Sequence, residues 1–249
     1  SQCPNCDVSL TFQQFKKELR CHYCGYNVTM KKSCQACGSV SLNKKGFGTE
    51  QIQEEISSLL TDVKVSRMDL DTTRGKHGHE KIITAFENNE IDILVGTQML
   101  TKGLDFRNVG LVGIMNADNL LNFPDFRAHE RSFQLMHQVA GRAGRTSKQG
   151  KVIIQTYNPF HKILQQVSMN DYEAMFHEQF IERQNYKYPP IYRLIKITIK
   201  HKDYQKVNLG AEWLATSLRQ LFNQYVLGPE FPPVSRIRNQ YHKNILLKI

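Results

Sequence analysis

Three Cys-x-x-Cys pairs lie at the start of this chain, and they constrain its fold more than any other feature. The pairs are Cys3/Cys6, Cys21/Cys24 and Cys34/Cys37, and no cysteine occurs after residue 37 in a sequence of 249 residues. A segment so rich in cysteine and polar residues cannot bury enough apolar surface to fold alone. Metal binding is favoured over disulfides, because the sequence shows no secretory signal.

The first two pairs have the spacing of a zinc ribbon. Fourteen residues separate Cys6 from Cys21, so two knuckles can complete the tetrahedral sulfur shell that Zn²⁺ prefers. Four thiolates leave no open position for water, which predicts a structural site. Gly25 and Gly38 follow their pairs, where a positive φ lets backbone amides turn toward sulfur. The third pair has no fourth pair in this sequence.

Positive charge is concentrated in two parts of the sequence. The net charge is +5 for residues 1–45, −3 for residues 46–185 and +8 for residues 186–249, within a total of +10. Basic segments suit a polyanion, since neutralising phosphates releases counterions, but a solvated basic surface without a partner is an open alternative. In the cysteine segment the candidate DNA contacts are Lys16, Lys17, Arg20, Tyr23, Tyr26, Lys31 and Lys32.

No run of about 18 apolar residues occurs, which predicts a protein without a membrane span or membrane partner. The lack of an export signal predicts a cytoplasmic location.

Residues 46–185 alternate between helix-like and strand-like segments, which predicts an α/β fold with a parallel sheet and helices on both faces. We expect the apolar side of the helix over 128–143 to comprise Phe133, Leu135, Met136 and Val139. Helices are predicted at 51–60 with Thr49 as N-cap, 79–87, 128–143, 161–169 and 172–183, and strands at 63–68, 91–96, 109–115 and 151–157.

Residues 186–249 have the pattern of a small α+β domain. Strands are predicted at 192–200 and 241–249, a helix at 207–222 and a strand end with a turn at 226–229. We expect Trp213 of this helix to lie in the core. The pattern stops before the domain is complete, which predicts a truncated domain.

Two further segments carry groups suited to nucleotide chemistry. Residues 96–106, GTQMLTKGLDF, directly follow a predicted strand, and ligands of α/β sheets bind at the carboxyl ends of strands. Residues 138–145, QVAGRAGR, end a predicted helix. Arg142 and Arg145 can both point at one phosphate cluster and stabilise its developing negative charge. Taken alone, this string is also compatible with a basic helix end capped by glycine.

In this order the two segments resemble motifs V and VI of superfamily 2 helicases, which lie on the second RecA-like lobe. The resemblance implies DNA contacts for Thr97, Gln98 and Lys102. It implies nucleotide contacts for Gly103 and Asp105. It also implies catalytic positions at the ATP phosphates for Gln138, Arg142 and Arg145, with Arg145 as the arginine finger.

The segment between these motifs narrows the resemblance. Residues 118–131 read DNLLNFPDFRAHER, a string that general helicases lack and that resembles the PriA family of replication-restart DNA helicases. CHYCG at 21–25, GFGTE at 46–50 and VLGP at 226–229 are similar to the same family. The resemblance implies a zinc-binding insertion over 1–45, a RecA-like helicase lobe 2 over 46–185 and an incomplete C-terminal domain over 186–249.

The resemblance also implies how the cysteines pair. The family carries eight zinc-ligating cysteines in two nested sites, and the first pair is absent here. Cys3, Cys6, Cys21 and Cys24 would then form one complete site, with Cys34 and Cys37 as a half-site. The implied cofactors are Zn²⁺, with two ions in the intact protein, and ATP with Mg²⁺.

The function that follows is an ATP-dependent 3′-to-5′ DNA helicase that recognises stalled or branched forks and initiates primosome assembly. The implied partners are branched and single-stranded DNA, the tail of single-stranded-DNA-binding protein, and primosome and helicase-loading proteins. The sequence has no GxxxxGK[ST] loop and no DExH box, so we expect this chain alone to lack ATPase activity. Two alternatives remain open at this point: a non-enzymatic zinc-ribbon nucleic-acid-binding module, and a different superfamily 2 member.

Overall fold

The computed structural model describes residues 1–13, 17–31, 33, 37–40, 48–69, 72–73, 78–97, 100, 109–141, 143 and 150–249. The chain forms two compact units, one of residues 1–45 together with 183–249, the other of residues 46–182. The first and last of the three predicted domains thus share a unit. Their exact boundaries stay a prediction.

In the described residues the strands are β1 (Thr11–Gln13), β2 (Glu18–Arg20), β3 (Asn27–Thr29), β4 (Val65–Met68), β5 (Ile93–Gly96), β6 (Leu111–Ile114), β7 (Lys151–Ile154), β8 (Leu194–His201), β9 (Val226–Glu230), β10 (Arg236–Ile237) and β11 (Gln240–Lys248). The helices are α1 (Thr49–Leu59), α2 (Gly78–Glu87), α3 (Asp118–Leu121), α4 (Ala128–Ala140), α5 (Lys162–Met169), α6 (Tyr172–Asn185) and α7 (Tyr204–Phe222).

The unit of residues 46–182 is built on parallel strand pairs. Strand β4 pairs with β5, and β6 pairs with β7, both in parallel. Parallel neighbours need a long crossover connection, and here it is helical in both cases: α2 separates β4 from β5, while α3 and α4 separate β6 from β7. The predicted α/β fold class is confirmed.

One apolar core of this unit is formed where α3, α4, α5 and α6 meet. Phe133 and Met136 of α4 are 2% and 1% exposed, so the predicted apolar side of this helix does face the core. Leu135 and Val139 of the same side are only half-buried. The other buried members are Ala117, Leu121, Ile163, Leu164, Val167 and Met175.

Several predicted helix boundaries are wrong by a few residues: α7 begins at Tyr204 and not at 207, and α6 ends at Asn185 and not at 183. Thr49 is the first residue of α1 and not its N-cap, which is Gly48. The Thr49 hydroxyl instead donates to Asp69 Oδ2 at 2.6 Å, so a tertiary partner outcompetes the local cap. Helix α4 ends at Ala140, short of the predicted residue 143, because a glycine follows and favours termination.

The C-terminal part of the other unit is an antiparallel sheet with a helix on one face. Strand β11 lies between β8 and β10 and also pairs with β9. Ile197 of β8 and Ile245 and Leu247 of β11 pack against Ala215 of α7. The short strand β10 was not predicted from the sequence.

Trp213 does not lie in the core, so that prediction is wrong. Its side chain is 71% exposed, whereas Val207, Ala211 and Ala215 of α7 are fully buried. Those three residues recur every four positions and face the sheet. Trp213 is two positions from Ala211, which turns it about 200° around the helix, away from the sheet.

None of the described helices is both long and apolar enough to cross a membrane.

Candidate zinc centre and motor loops

Four cysteine sulfurs converge at the start of the chain. The Sγ atoms of Cys3, Cys6, Cys21 and Cys24 all lie within 4.8 Å of one another. Cys3 Sγ and Cys24 Sγ are 3.5 Å apart. In a tetrahedral site with Zn–S bonds of about 2.3 Å, neighbouring sulfurs are about 3.8 Å apart. The donor set therefore fits zinc, as the spacing predicted.

The knuckle formed by Cys21 and Cys24 is held by its own backbone. Amides of Tyr23 and Cys24 donate to the sulfur of Cys21, and the amide of Tyr26 donates to Cys24 Sγ at 3.5 Å. Gly25, which lies between Cys24 and Tyr26, has a φ of +79°, the left-handed conformation that glycine adopts without strain. The predicted role of this glycine is confirmed.

The knuckle formed by Cys3 and Cys6 is held partly from elsewhere. The amide of Asn5 donates to Cys3 Sγ at 3.4 Å, which is a local bond. Cys6 Sγ instead accepts from the amide of Arg238 at 3.3 Å, 232 residues further along the chain. Sequence reasoning missed Arg238, because nothing in the spacing of the cysteines indicates so distant a donor.

Burial and hydrogen bonds shift the pKa of three of the sulfurs. Burial raises the pKa of Cys3, and it raises the pKa of Cys6 to about 12. Burial is the largest single influence at Cys21 and acts upward there as well. Hydrogen bonds from the amides of Cys24 and Tyr23 and from the Cys24 and Cys3 side chains together outweigh it and lower the pKa of Cys21 to about 7. Four thiolates in so dry a place need a compensating cation. Cys3, Cys6, Cys21 and Cys24 would hold a Zn²⁺ ion, which would supply that charge.

The third cysteine pair is described only in part. Cys37 is exposed, and Cys34 lies outside the described residues. Gly38 has a φ of +71°, the positive value predicted for it. The half-site of Cys34 and Cys37 stays a prediction.

Thr97 follows the end of β5 directly, as predicted. Its side chain is exposed, and its carbonyl accepts from the amide of Leu100 at 3.0 Å. A Cβ at Gly96 would lie 2.7 Å from the carbonyl oxygen of Met68 on β4, so only glycine lets the two strands pass this closely. The predicted contacts Gln98, Lys102, Gly103 and Asp105 lie outside the described residues.

Gln138 lies in the last turn of α4, with its side chain exposed. The turn that follows is closed by the amide of Ala143, which donates to the carbonyl of Ala140 at 3.1 Å. Arg142 and Arg145 lie outside the described residues. The positions of Gln138, Arg142 and Arg145 at the ATP phosphates therefore stay a prediction.

The string over 118–131 has a structural role that sequence reasoning did not assign. Asp118 at the start of α3 accepts from the Tyr157 amide and from Thr156 Oγ1, each at 3.0 Å. Both hydrogen bonds lower the pKa of Asp118, and the bond from the Tyr157 amide has the larger effect. They tie α3 to the residues that follow β7. No local pattern in the sequence around 155–158 indicated this tie.

Asp125 organises the start of α4 in the same string. Its Oδ1 accepts from the Arg127 amide at 2.8 Å, and its Oδ2 lies 3.2 Å from Arg131 Nη1. Both partners come from the string itself. The PDFRAHER segment is thus a self-contained helix start.

The Thr49–Glu50 dipeptide of GFGTE also contacts the strand region. Thr49 binds Asp69 just beyond β4, and Glu50 Oε1 lies 3.6 Å from Arg67 Nη1. Arg67 Nε lies 3.1 Å from Asp69 Oδ2, which closes the network. The string therefore anchors α1 to the carboxyl end of β4.

Comparison with known protein families agrees with these features. The model of the PriA DNA helicase Cys-rich region domain matches residues 3–28. The helicase conserved C-terminal domain matches residues 28–147, which include both motor loops, residues 96–106 and residues 138–145. The primosomal protein N C-terminal domain matches residues 184–249.

Similar proteins of known name cover nearly the whole chain. The chain is 42% identical over 249 residues to the replication restart protein PriA of Bacillus subtilis. The match covers 99% of this chain and 31% of the relative. It is 40% identical over 253 residues to that of Synechocystis, covering 99% of this chain and 30% of the relative. It is 39% identical over 250 residues to the replication restart protein PriA of Haemophilus influenzae, and the match covers 100% of this chain and 34% of the relative.

The chain spans about a third of the length of these relatives. The alternative of a different superfamily 2 member is set aside by the matches at both ends of the chain. The resemblance found in the sequence is confirmed: this chain belongs to the PriA family of replication-restart DNA helicases and carries its Cys-rich region, its second helicase lobe and its C-terminal domain.

Proposed function

We propose that this chain is part of an ATP-dependent 3′-to-5′ DNA helicase of the cytoplasm that recognises stalled or branched replication forks and initiates primosome assembly. The observation that carries the proposal is the position of the two motor loops. One begins at the carboxyl end of the parallel strand β5, and the other at the end of α4, inside a region that matches the helicase C-terminal domain. Loops at such strand ends bind ligands in α/β proteins.

The division of labour between the two segments follows their chemistry. Thr97, Gln98 and Lys102 would contact the DNA backbone, with Gly103 and Asp105 near the nucleotide. Arg142 and Arg145, with Gln138 beside them, would meet the ATP phosphates. A guanidinium aimed at the transferring phosphoryl group stabilises the charge that develops there.

The other ATP contacts and the Mg²⁺ ligands would come from outside this sequence, which contains no GxxxxGK[ST] loop and no DExH box. The chain alone should therefore not hydrolyse ATP. The arginines would act only when a nucleotide-binding lobe presents ATP to them.

The test compares ATP turnover by this chain with turnover by the full-length protein. We expect none from the chain alone, and DNA-stimulated turnover from the full-length protein. Arg145→Ala should slow the latter by roughly 10³-fold or more, as for other arginine fingers. Lys162→Ala, which removes an exposed cation of α5, is the matched control and should leave the rate unchanged. DNA-stimulated turnover by the chain alone that Arg145→Ala abolishes would contradict the proposal.

A basic face of the C-terminal sheet supports the proposed partners. Lys196, Thr198 and Lys200 alternate along β8 with residues that face α7, so they share the opposite face. His242 of β11 pairs with Lys200 on that face, and burial together with the Lys200 charge lowers its pKa. We propose this face for contacts with branched DNA or the acidic tail of single-stranded-DNA-binding protein, before helicase-loading proteins join.

The second candidate function is a non-enzymatic zinc-ribbon nucleic-acid-binding module. It is favoured by the exposed side chains of Lys17, Arg20, Tyr23 and Lys31 on the ribbon. It predicts that Arg142 and Arg145 serve binding alone. Under this reading Arg145→Ala would weaken DNA binding by the full-length protein without changing its ATP turnover per bound DNA.

A further inference from the structure

The two knuckles of the zinc centre differ in what holds them. The amide donors to Cys21 and Cys24 come from the knuckle itself, from residues 23–26. Cys6 has its amide donor in the hairpin that joins β10 to β11. Cys6 is 1% exposed, so solvent does not compete for that bond.

The tip of this hairpin has the geometry that aims a backbone amide outward. Arg238 and Asn239 have φ values of +53° and +59°, as both central residues of a type I′ turn do. Strands β10 and β11 pair on either side, with Ile237 opposite Gln240. The turn directs the Arg238 amide at Cys6 Sγ, while the Asn239 amide donates to the carbonyl of Asn5 at 2.8 Å.

Side chains reinforce this contact on both flanks. Asp7 Oδ1 accepts from Arg236 Nε at 3.0 Å, and Asp7 Oδ2 accepts from Ser235 Oγ at 2.7 Å. The Asp7 amide donates to the carbonyl of Arg236 at 2.9 Å. Arg238 Nε donates to the carbonyl of Tyr23 at 3.1 Å, which reaches the second knuckle.

We infer that the β10–β11 hairpin is a positioning element of the zinc centre. Its Arg238 amide and its ion pair with Asp7 hold the Cys3/Cys6 knuckle in the geometry that the metal needs. N–H···S bonds favour the thiolate over the thiol, and outer-shell partners of this kind tune metal affinity. The coupling is reciprocal, so bound zinc orders the hairpin in turn.

The first experiment measures the rate at which the zinc-loaded chain gives up its metal to a chromophoric chelator. Asp7→Arg places two cations against each other, and we expect release to become about 10 to 100 times faster. The double variant Asp7→Arg with Arg236→Asp restores an ion pair with reversed charges, so its rate should return toward that of the unmodified chain. Glu178→Lys, which breaks an exposed pair with Lys162 in the other unit, is the control and should leave the rate unchanged.

A second pair of variants tests the turn itself without changing charge. Asn239→Gly keeps the positive φ and should keep slow release, whereas the β-branched Asn239→Val disfavours that φ and should speed release. This pair decides the matter if Asp7→Arg does not fold.

Hydrogen exchange supplies the reciprocal readout. The amides of Arg238 and Asn239 should be protected with zinc and exchange quickly after chelation, while the amides of α7 should not change. Equal release rates for the Asp7→Arg and unmodified chains, or for the two Asn239 variants, would overturn the inference. So would hairpin amides that exchange equally fast with and without zinc.

Discussion

The zinc centre and the unit of residues 46–182, here called the helicase unit, assemble their functional groups in opposite ways. At the zinc centre four sulfurs come within 4.8 Å of one another, and the chain supplies the whole ligand shell. In the helicase unit Thr97 follows β5, which packs in one apolar cluster with β4 and α2. Gln138 lies in α4, which packs in a second apolar cluster with α3, α5 and α6. We expect the zinc centre to depend on a metal for its shape, whereas the helicase unit depends on apolar packing that needs no metal. The two should therefore fail independently.

The largest expected effect is the loss of one ligand. Cys21→Ser removes a thiolate from a closed shell, and structural zinc sites contribute about 10–16 kcal/mol of binding free energy. We expect metal analysis to fall from about one zinc per chain to near none, with loss of dispersed amide signals from residues 1–31. Thermal unfolding of the helicase unit should not change.

Cys37→Ser is the matched control for this prediction, because that cysteine is exposed and outside the four-sulfur cluster. It should leave one zinc bound. Loss of zinc in this variant alone would show that the wrong cysteines have been paired.

A substitution in the core should destabilise the helicase unit and leave the zinc centre intact. Phe133→Ala empties a site that is 2% exposed, which should lower the free energy of unfolding of that unit by about 3–5 kcal/mol. Urea titration followed by the signals of α4 measures it, and zinc content should stay constant. Phe123→Ala, at a side chain 58% exposed, should cost at most about 0.5 kcal/mol. Equal effects of the two changes would refute the packing described here.

A smaller effect is expected where β5 meets the first motor loop. Gly96→Ala places a methyl group against the Met68 carbonyl and Leu100, and overpacking of this kind costs about 1–3 kcal/mol. Gly110→Ala has open space around the new methyl group and serves as the control. If the two alanine variants unfold at the same urea concentration, the strands do not approach as closely as described.

The smallest expected effect is a dependence on pH. Because hydrogen bonds lower the pKa of Asp118 in the folded chain, its carboxylate stabilises the fold above the unfolded pKa of about 3.9. That stabilisation is lost as the pH falls through the folded pKa. The difference in unfolding free energy between the unmodified chain and Asp118→Asn should shrink below about pH 4. A difference that stays constant from about pH 3 to about pH 7 would contradict this role.

Sequence reasoning succeeded where the information is local. The spacing of Cys3, Cys6, Cys21 and Cys24 determines which sulfurs can share an ion, and these four do converge. The alternation of helix-like and strand-like segments located the parallel strands and α4, because each element carries its own pattern of apolar residues. Positive φ at Gly25 followed from the knuckle geometry alone.

It failed where a partner is distant or a face is ambiguous. No local pattern links Cys6 to Arg238, although an asparagine at 239 between two polar strands is a weak sign of a turn with positive φ. Thr49 is not the N-cap of α1, because its hydroxyl binds Asp69, 20 residues further along the chain. Trp213 was expected in the core because its helix is amphipathic, but the helix buries smaller residues on another face.

The bond between Cys6 and Arg238 also has a consequence in time. A ribosome adds roughly 5–20 residues each second, so the hairpin emerges about 10 to 40 seconds after the second knuckle. During that interval all four cysteines are already outside, but the amide that holds Cys6 is not. Newly made ribbon would thus pass through a phase of looser metal retention, which ends only when the C-terminal sheet has been synthesised and folded.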